Sequence, residues 1–381
     1  MTMHRIPAVF MRGGTSKALI FRASDLPESR DERDAIFRAA MGVPDPYARQ
    51  LDGMGGGVSS LNKVCIVGPP SRADADVDYT FVQLSADRPE VDYGGNCGNM
   101  SSAIGPFALE EGLIEPIAGA EAAVRIHNTN TGKIIVSRFP LVDGLLAPDG
   151  DFALDGVAGT AAPVRLEFLD PGGAKTGKLL PTGSPVDRIE VTGLGTIGVS
   201  CVDAANPAVF VRAADLGLTG TELPEALERD AAFMARMEEI RCKGSVLMGL
   251  AADLDAAGAL ASIPKVAMVA PPRESPLISG ETLPEDAADI LIRMISVGQP
   301  HRAVPITGAI GLAIAARLEG SIPHEACVAD EGPIRVGHAS GTTVVDAQTD
   351  RSADGTITAR LGAVYRSARR LFEGRVVYRL S

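Results

Sequence analysis

Cys97 stands in Asp92-Tyr93-Gly94-Gly95-Asn96-Cys97-Gly98-Asn99-Met100-Ser101-Ser102-Ala103, the sharpest local setting in the chain for proton chemistry. Glycines admit positive φ, so the backbone N–H groups of Asn96, Gly98, Asn99 and Met100 can converge on an anion. A helix opening near Met100 adds the positive end of its dipole. A thiol in that field is disposed to exchange protons near neutrality, whereas the plainer reading is a small cysteine packed beside a helix. A second candidate is Lys63, in Gly55-Gly56-Gly57-Val58-Ser59-Ser60-Leu61-Asn62-Lys63-Val64, where a glycine turn feeds an apolar strand. An amine held among apolar residues loses hydration and can serve as a base, although a lysine snorkelling from a strand end explains the same pattern. Cys65 shares the strand face of Lys63 by the two-residue period and reads as packing.

Anion receptors would have to accompany such a pair. In Met11-Arg12-Gly13-Gly14-Thr15-Ser16-Lys17, Arg12 offers a bidentate fork for a carboxylate, and Thr15, Ser16 and Lys17 add donors. The glycine spacing is not that of a phosphate-binding loop. In the second half, His301 and Arg302 precede Thr307-Gly308 at the mouth of a helix, and Asn206 and Lys265 are further candidates. A helix cap is the plain alternative for Thr307 and Gly308.

The elements that must position these groups follow from composition and pattern. With 381 residues the chain exceeds one ordinary core, so two domains are expected. We place them at 1–185 and 186–372, with the C-terminal strand 373–381 joining the first. Strand composition marks 5–11, 18–21, 63–67, 77–84, 123–126, 134–139 and 164–168, then 188–191, 196–202, 266–269, 290–295, 342–345, 356–361 and 376–380. Helical spacing marks 31–41, 101–113, 224–237 and 310–318. A faint repeat links the two halves, each with a polar residue opening a strand and a later glycine-rich turn leading into a small-residue helix. A cleft between two such halves is where a ligand would bind.

Charge and composition narrow the function. A formal charge of −12 opposes nucleic acid and anionic membranes as partners. Aromatic residues make up 4% with no Trp, which disfavours stacking platforms. No run of 18 apolar residues occurs and the first 21 residues carry scattered charge, so a cytoplasmic protein is expected. Five scattered cysteines and five scattered histidines suggest neither a disulfide scaffold nor a metal site. A homodimer is the general expectation for a soluble enzyme.

The segments 11–17, 51–56, 60–64 and 96–106, with His301-Arg302-Ala303 and Gly337-His338, together resemble the methylaconitate isomerase and 4-oxalomesaconate tautomerase family, which shares the diaminopimelate epimerase fold. The resemblance implies an α+β fold of two similar domains. Each is a mixed sheet rolled around a central helix, the active site lies in the interdomain cleft, and there is no cofactor. Epimerases of this fold use one cysteine from each domain. Cys97 looks like the first, while the second-half turn carries Thr307 instead, and in the isomerase branch a lysine at the position of Lys63 takes the second role. The reaction so implied is a 1,3-proton transfer across the allylic system of a small unsaturated di- or tricarboxylic acid such as 4-oxalomesaconate, 2-methylaconitate or aconitate, with Lys63 and Cys97 as the acid/base pair. The alternatives are an amino-acid racemase or epimerase of the same fold, and a non-catalytic carboxylate binder.

Overall fold

Runs of β-branched and aliphatic residues punctuated by glycine build a mixed α/β fold in which strands predominate and helices are few. The computed structural model describes residues 3–296, 298–353 and 355–380. Two compact units are present, Met1–Glu167 with Tyr365–Ser381, and Phe168–Val364.

In the first unit, β1 (Met3–Gly13) and β2 (Ser16–Arg22) form a hairpin closed by the pair Gly13 and Ser16. Helix α1 (Arg30–Met41) follows, capped by the Ser29 hydroxyl, which accepts from Glu32 N. It stops at Gly42, whose φ of 69° is the left-handed conformation that glycine tolerates. Strand β3 (Lys63–Gly68) runs parallel to β2, with Ala18 beside Lys63, and antiparallel to β4 (Val77–Leu84), with Gln83 opposite Lys63 and Phe81 opposite Cys65. The short β5 (Val91–Asp92) leads to α2 (Gly98–Glu110), after which β6 (Glu121–Asn128) and β7 (Lys133–Val142) make a second hairpin. The C-terminal strand Ala368–Arg379 returns to pair with β1 along its length.

Alternation along the strands separates two faces. Val64, Ile66, Val82 and Leu84 pack with Leu19, Phe21, Phe37 and Met41 in one core beneath α1. Lys63, Cys65, Tyr79, Phe81 and Gln83 therefore lie on the other face, the side on which α2 packs against β3. Helix α2 is apolar all round, and Met100, Ala103, Ile104, Phe107 and Ala108 are essentially inaccessible, as a helix at the centre of a core requires.

The second unit repeats this pairing order. Gly195–Ala204 and Asn206–Arg212 form a hairpin, Lys265–Ala270 adds in parallel, Ile290–Ser296 pairs antiparallel to it, and Ile334–His338 adds in parallel before its own hairpin with Gly341–Arg351. An apolar helix, Ile306–Ala316, takes the chain position that α2 holds in the first unit. The correspondence brings Lys265 to the start of its strand beside Ala208, as Lys63 starts β3 beside Ala18.

Three of the four expected helices differ in extent by more than one residue. The helix expected over 224–237 is two helices, Pro224–Arg229 and Ala231–Leu247, because the Asp230 carboxylate accepts from Phe233 N and begins a new one. The helix expected over 101–113 begins at Gly98, so Cys97 rather than a residue near Met100 is its N-cap. The helix expected over 310–318 begins at Ile306, which puts Thr307 and Gly308 inside its first turn.

Candidate active site

Lys63 opens β3 with 8% of its surface accessible. Its Nζ lies 2.6 Å from Gln83 Oε1 and 5.0 Å from the centroid of the Phe81 ring. Gln83 cannot turn its amide the other way, because Nε2 donates to the carbonyls of Ser59 (3.0 Å), Asn62 (2.9 Å) and Leu84 (3.1 Å). The oxygen is thus fixed toward the amine and orients it without adding a carboxylate's charge.

Cys97 is the N-cap of α2, with φ −123° and ψ 97°, and 9% of its surface is accessible. Its carbonyl accepts from Ser101 N at 3.1 Å and its thiol makes no cap hydrogen bond, so the sulfur is left for other partners. Those around it are Cys65, Tyr79 and Arg366, each of which feels its charge. Burial and then Cys97 push the Cys65 thiol up, against the opposing pull of the Tyr79 hydroxyl and Lys63. Cys65, fully buried, shares the strand face of Lys63 and stays a protonated thiol.

The glycine segment before Cys97 is tied down from two sides. Asn96 Oδ1 accepts from Asn128 Nδ2 at 2.9 Å, and Asn130 Nδ2 donates to the carbonyls of Phe81 and Tyr93. The polar turn of the β6–β7 hairpin thus orders the candidate loop. The β1–β2 tip closes over the start of α2. A Cβ on Gly13 would stand 2.7 Å from Asn99 O, and one on Gly14, whose φ is +53°, would collide with Asn99 Oδ1. Asn99 uses its amide twice, donating to Thr15 Oγ1 at 3.1 Å and accepting from Arg366 Nε at 3.1 Å.

The remaining first-unit candidates divide. Thr15, Asn96, Gly98 and Asn99 gather around Cys97. Arg12 directs Nη1 to Gly14 O, Ser367 O and Ser367 Oγ at 3.0 to 3.1 Å, so this part of its fork clips the hairpin tip to the C-terminal strand. Four expected side chains are elsewhere. Lys17 lies 5.7 Å over the Phe10 ring, on the face shared with Leu19 and Phe21, away from Lys63. The Asn62 side chain is fully buried and spends its amide on Gly56 N and Val58 O, shaping the loop ahead of Lys63. The Met100 side chain is fully buried in the core of α2, and that of Ser16 is 3% accessible. Only the backbone of Met100 lies where it could serve an anion.

In the second unit, Lys265 Nζ reaches Ser296 Oγ at 2.6 Å, and burial holds its amine below the ordinary lysine value. Burial and then the nearby Lys265 likewise hold the His301 imidazole below its usual value, and among the described residues His301 Nε2 is buried without a partner. Asn206 starts its strand beside the turn at Ala205, whose φ is 58°. Gly308 lets the helix Ile306–Ala316 approach Met294, whose carbonyl accepts from His301 N. Arg302 is exposed and pairs with Glu225 at 3.4 Å.

Sequence reasoning does not single out Gln83, Asn128, Asn130, Arg366 or Ser367. The contacts that bring them to the site span 32 to 355 positions, apart from those of Gln83, which depend on strand register. Among the described residues no group of three or more His, Cys, Asp or Glu side chains could hold a metal ion, and no helix is long and apolar enough to cross a membrane.

Known proteins of the same make-up are isomerases. The 2-methyl-aconitate isomerase of Shewanella oneidensis is 42% identical over 97% of this chain and 96% of its own length. The 4-oxalomesaconate tautomerase of Pseudomonas putida is 38% identical over 98% and 96% respectively. The crystal structure of a methylitaconate-delta-isomerase superposes with a TM-score of 0.88 at 39% identity, covering 99% of this chain and 96% of that one. The mixed α/β fold and these similarities define an enzyme of the isomerase class. The chain belongs to the PrpF family, whose profile, described as PrpF protein, matches residues 3–379.

Proposed function

We propose that this isomerase shifts an allylic double bond in a small unsaturated di- or tricarboxylic acid by 1,3-proton transfer, without a cofactor, using Lys63 and Cys97. The observation that carries the proposal is a buried amine at the start of β3 and a buried thiol at the N-cap of α2, the helix that packs against β3 in the same unit. The neutral Lys63 amine takes a proton from the carbon beside the alkene, so a C–H bond breaks and the electron pair spreads over the alkene and its carboxylate. The Cys97 S–H delivers a proton to the far end, so a C–H bond forms there and the double bond moves. In the reverse direction the two groups exchange roles, and solvent returns each to its resting protonation. Donors at the start of α2, with Thr15 and Asn99, suit the developing anion.

The repeated strand pairing supports reading each unit as an epimerase-like domain, a mixed sheet around its central apolar helix. Thr307 stands where an epimerase would need its second cysteine, which favours isomerisation over racemisation. The substrate is tested by incubating the enzyme with 4-oxalomesaconate, 2-methylaconitate, cis- and trans-aconitate and methylitaconate and following proton NMR. One of these should show double-bond migration. Turnover of none, together with α-proton exchange in an amino acid, would overturn the assignment.

A further inference from the structure

The proton transfers by Lys63 and Cys97 leave one buried charge beside the start of α2 unused. Arg366 is 6% accessible, yet among the described residues it forms no ion pair with a carboxylate. Its hydrogen bonds run to Asn99 Oδ1 from Nε (3.1 Å) and to its neighbour's carbonyl, Tyr365 O, from Nη1 (2.8 Å). A guanidinium removed from water without a counter-anion is costly, and an anion formed nearby during the working cycle would offset that cost. Asn99 lies in the first turn of α2, two residues beyond Cys97, and its amide is oriented by its second bond, to Thr15 Oγ1. Burial lowers the Arg366 guanidinium to about 10 while Cys97 acts in the opposite sense, so the thiol is within electrostatic reach. The other titratable groups around Cys97 are Cys65 and Tyr79, both neutral thiol or phenol at working pH, and Lys63 stands two positions before Cys65 on the same strand face.

We infer that Arg366 is a positioning residue for proton transfer: held by Asn99, its buried guanidinium is the counter-cation against which the Cys97 sulfur becomes and stays anionic. When Cys97 gives its proton to carbon, the S–H bond breaks and the electron pair stays on sulfur. The fixed positive charge stabilises that thiolate until it is protonated again. The role requires a charge at this place and no contact with substrate. It rests on the reading of Cys97 as the proton-exchanging thiol.

The test is the rate at which iodoacetamide alkylates Cys97 in the full chain at pH 7 without substrate, resolved by peptide mass spectrometry, with Cys97→Ser as the control. Arg366→Met should slow alkylation at least ~10-fold, and Arg366→Lys, which keeps the charge, should stay within about 3-fold of the native chain. On whichever acid the enzyme turns over, Arg366→Met should lower kcat by roughly 10- to 100-fold and leave KM within about 3-fold. Unchanged alkylation in a folded Arg366→Met chain, or equal loss in the Met and Lys variants, would overturn the inference and leave a packing role. Should Arg366→Met not fold, Asn99→Ala, which frees Nε, takes its place. Slower alkylation there supports the inference and an unchanged rate defeats it. Because alkylation needs no substrate, it decides this point even if every candidate acid proves inert.

Discussion

Gln83 shows how little of the Lys63 environment is local. Three carbonyls hold its Nε2, so Oε1 has one direction to face, and the Lys63 amine lies 2.6 Å along it. Replacing it with leucine keeps the bulk and removes that orientation. Gln83→Leu should lower kcat about 10-fold or more, with a smaller change in KM, as steady-state kinetics would show. Unaltered kcat would mean that the amine needs no such guide. The sequence shows Lys63 and Cys97 as candidates because glycine turns and an apolar strand surround them. It does not show Gln83, which requires the β3–β4 register, or Arg366, which meets Asn99 from 267 positions away. Lys17 misleads for a related reason. Its motif is rich in donors, but one step of strand alternation turns it to the opposite face.

Among the elements, the β1–β2 tip and α2 are fitted by two glycines. Gly14→Ala adds a Cβ at φ +53° and drives it into Asn99 Oδ1, so it should destabilise the first unit by about 1–3 kcal/mol. Activity should fall more than that loss of stability explains, since Asn99 also holds Arg366. Urea unfolding alongside kinetics checks both, and a stable, fully active Gly14→Ala chain would show that the tip is not fitted to α2. Helices are legible in the sequence to within a few residues where caps and apolar spacing agree. The break at Asp230 is not, because helical spacing continues across it while the carboxylate caps Phe233 N. Strand Ala368–Arg379 is legible only at its end, because Arg369, Arg370, Glu373 and Arg375 interrupt any apolar alternation. Its stability comes from the backbone ladder with β1 and from Arg370, which pairs with Glu110 at 2.7 Å and Glu111 at 2.9 Å.

For the whole molecule, both units carry carboxylates held by arginine. Burial alone would raise Asp289, but its hydrogen bonds from Arg335, the shortest 2.6 Å, outweigh burial and hold it below the ordinary carboxylate range. Glu111 is held down in the same way, against burial, by Arg370 and Arg22. A carboxylate depressed in the folded state contributes stability above the unfolded value of about 4, and that contribution disappears as pH falls through the folded value. The urea midpoint should therefore be nearly flat from about pH 7 to 5 and drop below about 4. Asp289→Asn should be less stable at neutral pH and respond less steeply to acid, and a native midpoint that does not fall below about pH 4 would contradict this. At this scale the strand-rich character and the repeat of two halves are visible in composition and in the glycine-turn pattern. The pairing order that makes the repeat concrete depends on long-range register, which no local pattern carries.

The proposed catalysis comes down to one amine and one thiol, each moving one proton. The most direct test is deuterium incorporation into the turned-over acid in heavy water, followed by proton NMR for the native chain, Lys63→Ala and Cys97→Ser. The native enzyme should place solvent deuterium at the terminus that gains a proton, and each variant should lose exchange and isomerisation together by at least ~10² while remaining folded. Near-native exchange in either variant would contradict the assignment of the pair.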